Sequence, residues 1–424
     1  MTTETSARVP SSASSSPRLP RNVWVVTATS FLTDVSSEMV SNLLPLFLFS
    51  VLGVGTAAIG LIEGVAETTA SLMKVLSGWL SDRLRSRKRL AVLGYALSTA
   101  AKPLLYFATS WSWVLGVRFA ERAGKGIRTA PRDALVADSI APGQRGWAFG
   151  LHRAGDTAGA MVGIGAAALV LLASQHGKVG LERSTFQLIV LLSLIPAVLA
   201  VIVLAIGVQE VRVSPATRSG EAGPQLGWSG LDPRFRRFLL ILLIFTLGNS
   251  SDAFLILRAQ QGGLSVLGVL GMMATFNLVY ALTASPAGAL SDRIGRKRLL
   301  LAGWGVYACV YLGFAVLSRG WQAWALLGIY GLFYGLTEGV AKALIADLVP
   351  AAQRGMAYGM YSAGIGLAAL PASLIAGLLW QGTGAWRGFG PPAPFLLGAA
   401  LAATAAILLW RMPLPRPGEV RQGG

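Results

Sequence analysis

Cysteine is nearly absent: Cys309 is the only one in 424 residues. An intramolecular disulfide and a cysteine metal cluster are therefore excluded. Histidine is scarce as well, with His152 and His176 alone, so a metal route would have to rest on carboxylates. No Gly-x-x-x-x-Gly-Lys-Ser/Thr segment is present, which removes the phosphate cradle of ATP-driven machines. Nor does the sequence space a nucleophile and a base, or a set of metal ligands, as an enzyme would. The most telling shortage is charge. Charged residues are 13% of the chain and apolar ones 54%, against roughly 25% and 45–50% in soluble domains. A soluble fold of this length could not cover its surface with so little.

What is there is apolar sequence in runs of about 20 residues or more, long enough to cross a bilayer as helices. The 51 glycines suit close helix–helix contact in lipid. Turn signals divide the chain into twelve helices and predict an all-α membrane protein of two six-helix bundles, residues 22–208 and 235–412. The first six helices are expected near 22–52, 56–81, 89–109, 112–137, 146–174 and 185–208, and the second six near 235–258, 263–291, 298–318, 320–347, 354–380 and 394–412. Residues 209–234 are polar and read as a linker. Residues 1–21, rich in Ser, Thr and Pro without an apolar core, read as a disordered tail rather than a signal peptide, and residues 413–424 as a second tail.

The net charge of +17 would suggest nucleic acid in a soluble protein. Here the bases crowd into alternate loops, such as Arg87-Lys88-Arg89 and Arg296-Lys297-Arg298, while the intervening loops carry almost none. That asymmetry predicts a cytoplasmic position for the linker and both termini, and no nucleic-acid partner.

The chain also repeats itself. Gly78-Trp79-Leu80-Ser81-Asp82-Arg83 returns 210 residues later as Gly288-Ala289-Leu290-Ser291-Asp292-Arg293. Ala134 to Asp138 returns as Ala343 to Asp347, and Gln144 to Gly150 as Gln353 to Gly359, both at an offset of 209. Ser36-Ser37-Glu38 is answered by Ser250-Ser251-Asp252, 214 residues on. Six helices separate equivalent points, and an even number preserves orientation, so the halves are parallel repeats.

On these motifs the sequence resembles the major facilitator superfamily, the twelve-helix secondary transporters, over about residues 22–412. The family's Gly-x-Leu-Ala-Asp-Arg-x-Gly-Arg-Lys loop is matched by the second copy through Gly295, Arg296 and Lys297, whereas the first has Arg85 in place of the glycine. The resemblance implies that these loops gate the substrate path by alternating access, and that no cofactor is needed. Arg122-Ala123-Gly124-Lys125-Gly126 is similar to the family's helix-4 Arg-x-x-Gln-Gly, which implies proton coupling through Arg122. Asp34 and Glu38 ahead of Asn42-Leu43-Leu44-Pro45 resemble the helix-1 acid of proton-coupled exporters. Gly155-x-x-x-Gly159-x-x-x-Gly163 keeps the glycine spacing of the family's antiporter motif, with Ala160 in place of its proline and Ile164 in place of its last glycine. That array implies export, or it is simply close helix packing.

Ionisable groups inside a membrane are costly and mark function. At 1.5 Å per residue, Asp34 and Glu38 of helix 1, Glu63 and Glu67 of helix 2, and Arg118, Glu121, Arg122 and Lys125 of helix 4 fall near one depth. His152, Arg153 and Asp156 join them from helix 5. Asp34 and Arg122 are expected to communicate, with Glu38 and Glu67 nearby. The competing reading is ion pairs that only hold helices together. The second half has fewer charges, chiefly Asp252, Arg258, Glu338 and Lys342, and more aromatics; these are packing, or a cavity wall for an amphipathic molecule.

Eight residues are expected to latch the cytoplasmic ends by pairing across the halves: Asp82, Arg83, Asp138 and Arg145, with their repeats Asp292, Arg293, Asp347 and Arg354. Gly78 and Gly288 open the two loop motifs. The function that follows is a proton-coupled secondary transporter of a small molecule, with export by antiport preferred over uptake of a small organic anion by symport. A non-transporting receptor is the reading of another class, and the retained membrane acids argue against it. A monomer in a bacterial inner membrane, whose partners are substrate, protons and lipid, is expected.

Overall fold

A computed structural model describes residues 19–84, 86–140, 145–175, 180–210, 232–350 and 353–413. Most of both expected tails and of the linker, with Arg85 and His176, lie outside these residues, as do the side chains of Asp82 and Arg145. The described chain is helical throughout, apart from an isolated bridge between Thr383 and Trp386.

The first half comprises α1 (Arg21–Ser41), α2 (Thr56–Leu84), α3 (Arg87–Ala101), α4 (Trp111–Asp138), α5 (Arg145–Gln175) and α6 (Arg183–Gly207). The second comprises α7a (Pro233–Gly248), α7b (Ala253–Gln261), α8 (Val266–Ile294), α9 (Arg296–Ala315), α10 (Gly320–Leu348), α11 (Arg354–Gln381) and α12 (Ala393–Arg411). Together they make twelve helical passes. Eight of these are long and apolar enough by composition to cross a membrane unaided; α1, α2, α4 and α10 are not. Three of those four carry the acids and bases of the first half, and α10 is rich in Trp, Tyr and Gly with Glu338 and Lys342. Interior chemistry, not length, lowers their hydropathy. By contrast α6 presents Leu188, Leu191, Ile195, Ile202 and Ile206 outward at helical spacing, all exposed, as a lipid-facing stripe should be.

Two expected helices are broken, each for a local reason. Helix 1 stops at Ser41 and resumes as a short helix at Leu44–Leu46 followed by a π-helical turn, Phe47–Val51. Pro45 has no N–H to continue the ladder. Helix 7 opens between Gly248 and Ala253. There the Tyr307 hydroxyl donates to the Gly248 carbonyl at 2.9 Å, and Ser251 Oγ accepts from the Ala253 N–H at 3.2 Å, so side chains take over backbone bonds. The turn after α8 needs a glycine, since Gly295 has φ 94°.

The two halves pack alike. In the first, α1 lies on α5 and α6, α2 on α4, and α3 on α4; in the second, α7a lies on α11 and α12, α8 on α10, and α9 on α10. The halves meet where α2 crosses α11 and where α5 meets α8. The α2–α11 seam is built on glycine. A Cβ on Gly60 would lie 2.1 Å from the Ser373 carbonyl oxygen, and one on Gly377 would lie 2.3 Å from that of Thr56. Thr56 and Thr68 donate across it to the carbonyls of Gly377 and Gly366, at 2.9 and 2.5 Å. The seam fails towards the basic loops: the next position on that face of α2, Val75, is 43% exposed, and a Cβ on Gly359 of α11 would meet nothing within 4 Å. The bundle is thus zipped at one end and parted at the basic end.

Within the first half, Gly155, Gly159 and Gly163 of α5 lie against Thr27, Phe31 and Val35 of α1, where a Cβ would come within 2.4–2.7 Å. The α5 glycine array therefore packs helices closely, which is the simpler of its two readings. Gly159→Ala should destabilise the protein by about 1–3 kcal/mol through overpacking. Gly150→Ala, whose Cβ meets nothing within 4 Å, should be neutral or gain up to about 1 kcal/mol of helix propensity. Thermal unfolding of the two variants in detergent checks the contrast.

Candidate functional site

Charge concentrates on one face of α4, where Arg118, Arg122, Lys125 and Arg132 repeat at helical spacing with Arg128 beside them; Arg118 and Arg128 are buried, Arg122 and Arg132 half-buried, and Lys125 exposed. A cation held in lipid needs a partner, and α2 supplies two. Arg118 reaches both oxygens of Glu63 at 3.2 Å, and its other nitrogen lies 2.9 Å from Glu121. One turn on, Arg122 lies 2.9 Å from Glu67. Glu63 and Glu67 are spaced like Arg118 and Arg122, so two parallel helices form two rungs of a ladder. Asp34 and Arg122, expected to communicate, form no ion pair with each other in this conformation, where Arg122 holds Glu67 and both line one cavity.

Asp34 instead lines a cavity of about 120 Å³, together with Glu38, Lys102, Glu121, Arg122, Lys125 and Arg128. Its walls come from α1, α3, α4 and α6 of the first half. Glu38 accepts from Asn42 Nδ2 at 2.9 Å, and Arg128 stacks over the Tyr95 ring at 4.3 Å. Lys102 was not among the residues anticipated from sequence. Its Nζ, 4% exposed at the end of α3, donates to Ser36 Oγ, and the signal for it was a lysine followed by proline in an apolar run.

Deeper towards the basic end, Ser30 Oγ lies 2.9 Å from His152 Nε2, and His152 Nδ1 lies 3.5 Å from Asp156. Arg132 donates to the same serine at 3.2 Å. Ser30 and His152 are 122 residues apart, which is why no local spacing betrayed the pair. Arg153 of α5 crosses to Tyr280 of α8 and lies 3.7 Å from Glu338 of α10, a polar bridge between the halves. Asp252 stands apart from the cavity, in the break of α7, accepting from the Tyr330 hydroxyl at 3.2 Å. Tyr330 belongs to a packed group with Phe245, Tyr307, Tyr311 and Phe333, whose centroids lie 4.1–6.3 Å apart. All five are buried, so they are core rather than a cavity wall.

At the basic end the anticipated latch takes another form. Asp138 pairs with Arg87, and Asp347 pairs with Arg296, which also lies 3.4 Å from Asp292. Both Arg87 and Arg296 and both aspartates are related by the offset of 209, so one bolt is built twice. Each bolt lies inside its own half, tying the start of α3 to the end of α4 and the start of α9 to the end of α10. Arg83 lies over the Trp79 ring and Arg354 donates to the Ala346 carbonyl at 3.2 Å. Among the described residues no ion pair joins the halves at these positions. Gly78 packs against Ala130, and a Cβ on Gly288 would face open space.

The profile of the Major Facilitator Superfamily matches residues 26–271 and 238–424. The chain belongs to that superfamily. It is 38% identical over 397 residues to an uncharacterized MFS-type transporter of Methanocaldococcus jannaschii, covering 92% of this chain and 94% of that one. It is 24% identical over 392 residues to the multidrug resistance protein MdtG of Citrobacter koseri, covering 91% and 89%. Among solved structures, that of a D-xylose–proton symporter aligns with a TM-score of 0.71 at 16% identity, over 92% of this chain and 97% of that one. The protein is thus a multi-pass membrane transporter of the superfamily fold, and not an enzyme.

The ladder gives a stability test. Arg118→Met leaves Glu63 and Glu121 buried without their cation and should cost about 3–5 kcal/mol. Adding Glu63→Gln and Glu121→Gln to that variant should recover more than half of the loss in thermal unfolding.

Proposed function

We propose that the protein is a proton-coupled secondary transporter that exports a small molecule by antiport. The observation that carries this reading is the isolation of Asp34. It is a carboxylate in mid-membrane, without an ion pair within 4.0 Å among the described residues, on the wall of a cavity that also holds Lys102, Lys125 and Arg128. A carboxylate already locked to an arginine, as Glu63 is, has no freedom to trade its proton, whereas Asp34 has. Bases and substrate within the same cavity supply the competition that coupling needs.

Placing the basic loops in the cytoplasm makes this conformation open to the inside, with both termini inside and the α2–α11 seam closed to the outside. Rocking of the halves about the cavity would then expose it to the other face. The bolts of Arg87 with Asp138 and Arg296 with Asp347 keep each half rigid as it moves, and Arg83, Asp292 and Arg293 are left exposed to meet the opposite half when the inner side closes. Similarity to a multidrug resistance protein supports export over uptake. A monomer suffices for such a cycle.

Reconstituted into liposomes with an imposed pH gradient, the wild type should drive solute movement coupled to protons. Asp34→Asn should lower gradient-driven flux at least about tenfold, some 1.4 kcal/mol in the coupled step. Unchanged gradient-driven flux in Asp34→Asn would sink this assignment.

A further inference from the structure

The cavity of the first half carries more charge than a proton site requires. Asp34 and Glu38 stand on its α1 wall, and Lys102, Lys125 and Arg128 line it from α3 and α4. Among the described residues, no ion pair within 4.0 Å joins these two acids to these three bases. One turn away the same helix pairs Arg118 and Arg122 closely with carboxylates. Acids and bases that line one cavity without pairing with one another leave room for a third party. That party must satisfy both signs, since desolvated charge left unmet is costly.

We infer that the site takes a small zwitterion, with its anionic group on Lys102, Lys125 and Arg128 and its ammonium on Asp34 and Glu38. The inference rests on the proton-coupled reading above and gives that reading a substrate class. A cavity of about 120 Å³ has room for a molecule of amino-acid size. An anion alone would face two carboxylates and would have to bring protons with it, binding both together. A cation alone would face three bases. The ammonium of a zwitterion instead takes the place of the proton on the acids, so substrate and proton exclude one another. Mutual exclusion at one site is the condition for antiport. The balance is simple: a neutral zwitterion leaves outward, one or two protons return on Asp34 and Glu38, and positive charge moves inward with them.

Matched ligands test this with the full chain in nanodiscs. β-Alanine, glycine betaine and taurine are compared by equilibrium binding with propionate and propylamine, the two halves of such a molecule, at pH 6 and pH 8. At least one zwitterion should bind roughly tenfold or more tighter than either half, since it makes charge-assisted contacts at both ends. Its binding should weaken as pH falls. Asp34→Asn should erase its advantage over propionate, and Lys125→Gln its advantage over propylamine; the wild-type comparison stands even if a variant fails to fold. Propionate binding as tightly as β-alanine, and more tightly at pH 6, would overturn the inference in favour of an anion taken up with protons. Absence of binding by all three zwitterions also overturns it. Proton flux driven by any solute in liposomes is read separately: if it persists without zwitterion binding, coupling stands and the substrate class falls. If zwitterions bind and no proton flux is found, the substrate class stands and coupling falls.

Discussion

Everything in the first half is arranged around the cost of cations on α4 inside a membrane. A guanidinium or ammonium at that depth cannot rely on water, so neighbouring helices must bring carboxylates, hydroxyls or aromatic faces to it. Glu63 and Glu67 fix the rotation of α2 against α4, because only one face of each helix can offer both rungs at once. Arg128 is met by the Tyr95 ring and Arg132 by Ser30 and Asp133, which sets α3 and α1 in turn. The groups left over are the ones that face the cavity. Structure and site are therefore one electrostatic problem, solved for some charges and left open for others.

Glycine serves two different ends in the same bundle. Along α1 and α5 it lets backbones approach within one half, and this contact has no reason to open. Along α2 and α11 it makes the seam between halves, with carbonyl oxygens of one helix lying where side chains of the other would be. A seam of small residues and threonine hydroxyls holds through van der Waals contact and weak hydrogen bonds. Few large side chains reach into it, Leu370 against Gly64 and Phe254 against Gly60 among them, so it can separate largely as a surface. A moving carrier needs such an interface, and the polar bridge from Arg153 to Tyr280 and Glu338 is its counterpart on α5 and α8.

Much of this was legible in the sequence. Helix number and the duplication follow from run length and from the repeated motifs, because bilayer thickness fixes the length of a run. The breaks in helices 1 and 7 were not, since a Pro45 or an Asn-Ser-Ser-Asp stretch can sit inside a kinked helix as well as between two; what decides it is Tyr307 reaching the Gly248 carbonyl from another helix. The Glu67–Arg122 pair was not legible for a similar reason. Depth along the membrane can be counted from sequence, but the azimuth of one helix against another cannot, and Glu67 and Asp34 differ only in azimuth. Lys102 was overlooked because a single lysine in an apolar run resembles one that snorkels to the surface.

The duplication also separates what is mechanical from what is chemical. The bolts recur residue for residue, Arg87 with Asp138 and Arg296 with Asp347, so both halves are held as rigid bodies by the same device. The α4 stripe does not recur. At the offset of 209, Arg118, Arg122, Lys125, Arg128 and Arg132 become Leu327, Gly331, Tyr334, Thr337 and Ala341, and the space they would fill is taken by stacked aromatics. Had both halves kept the stripe, ten cations would confront one another across a closing interface, with a repulsion no set of carboxylates present here offsets. One charged half against one aromatic half lets the two approach and part without that penalty. The symmetry of the fold supplies the motion, and its chemical asymmetry is what allows the motion to be reversible.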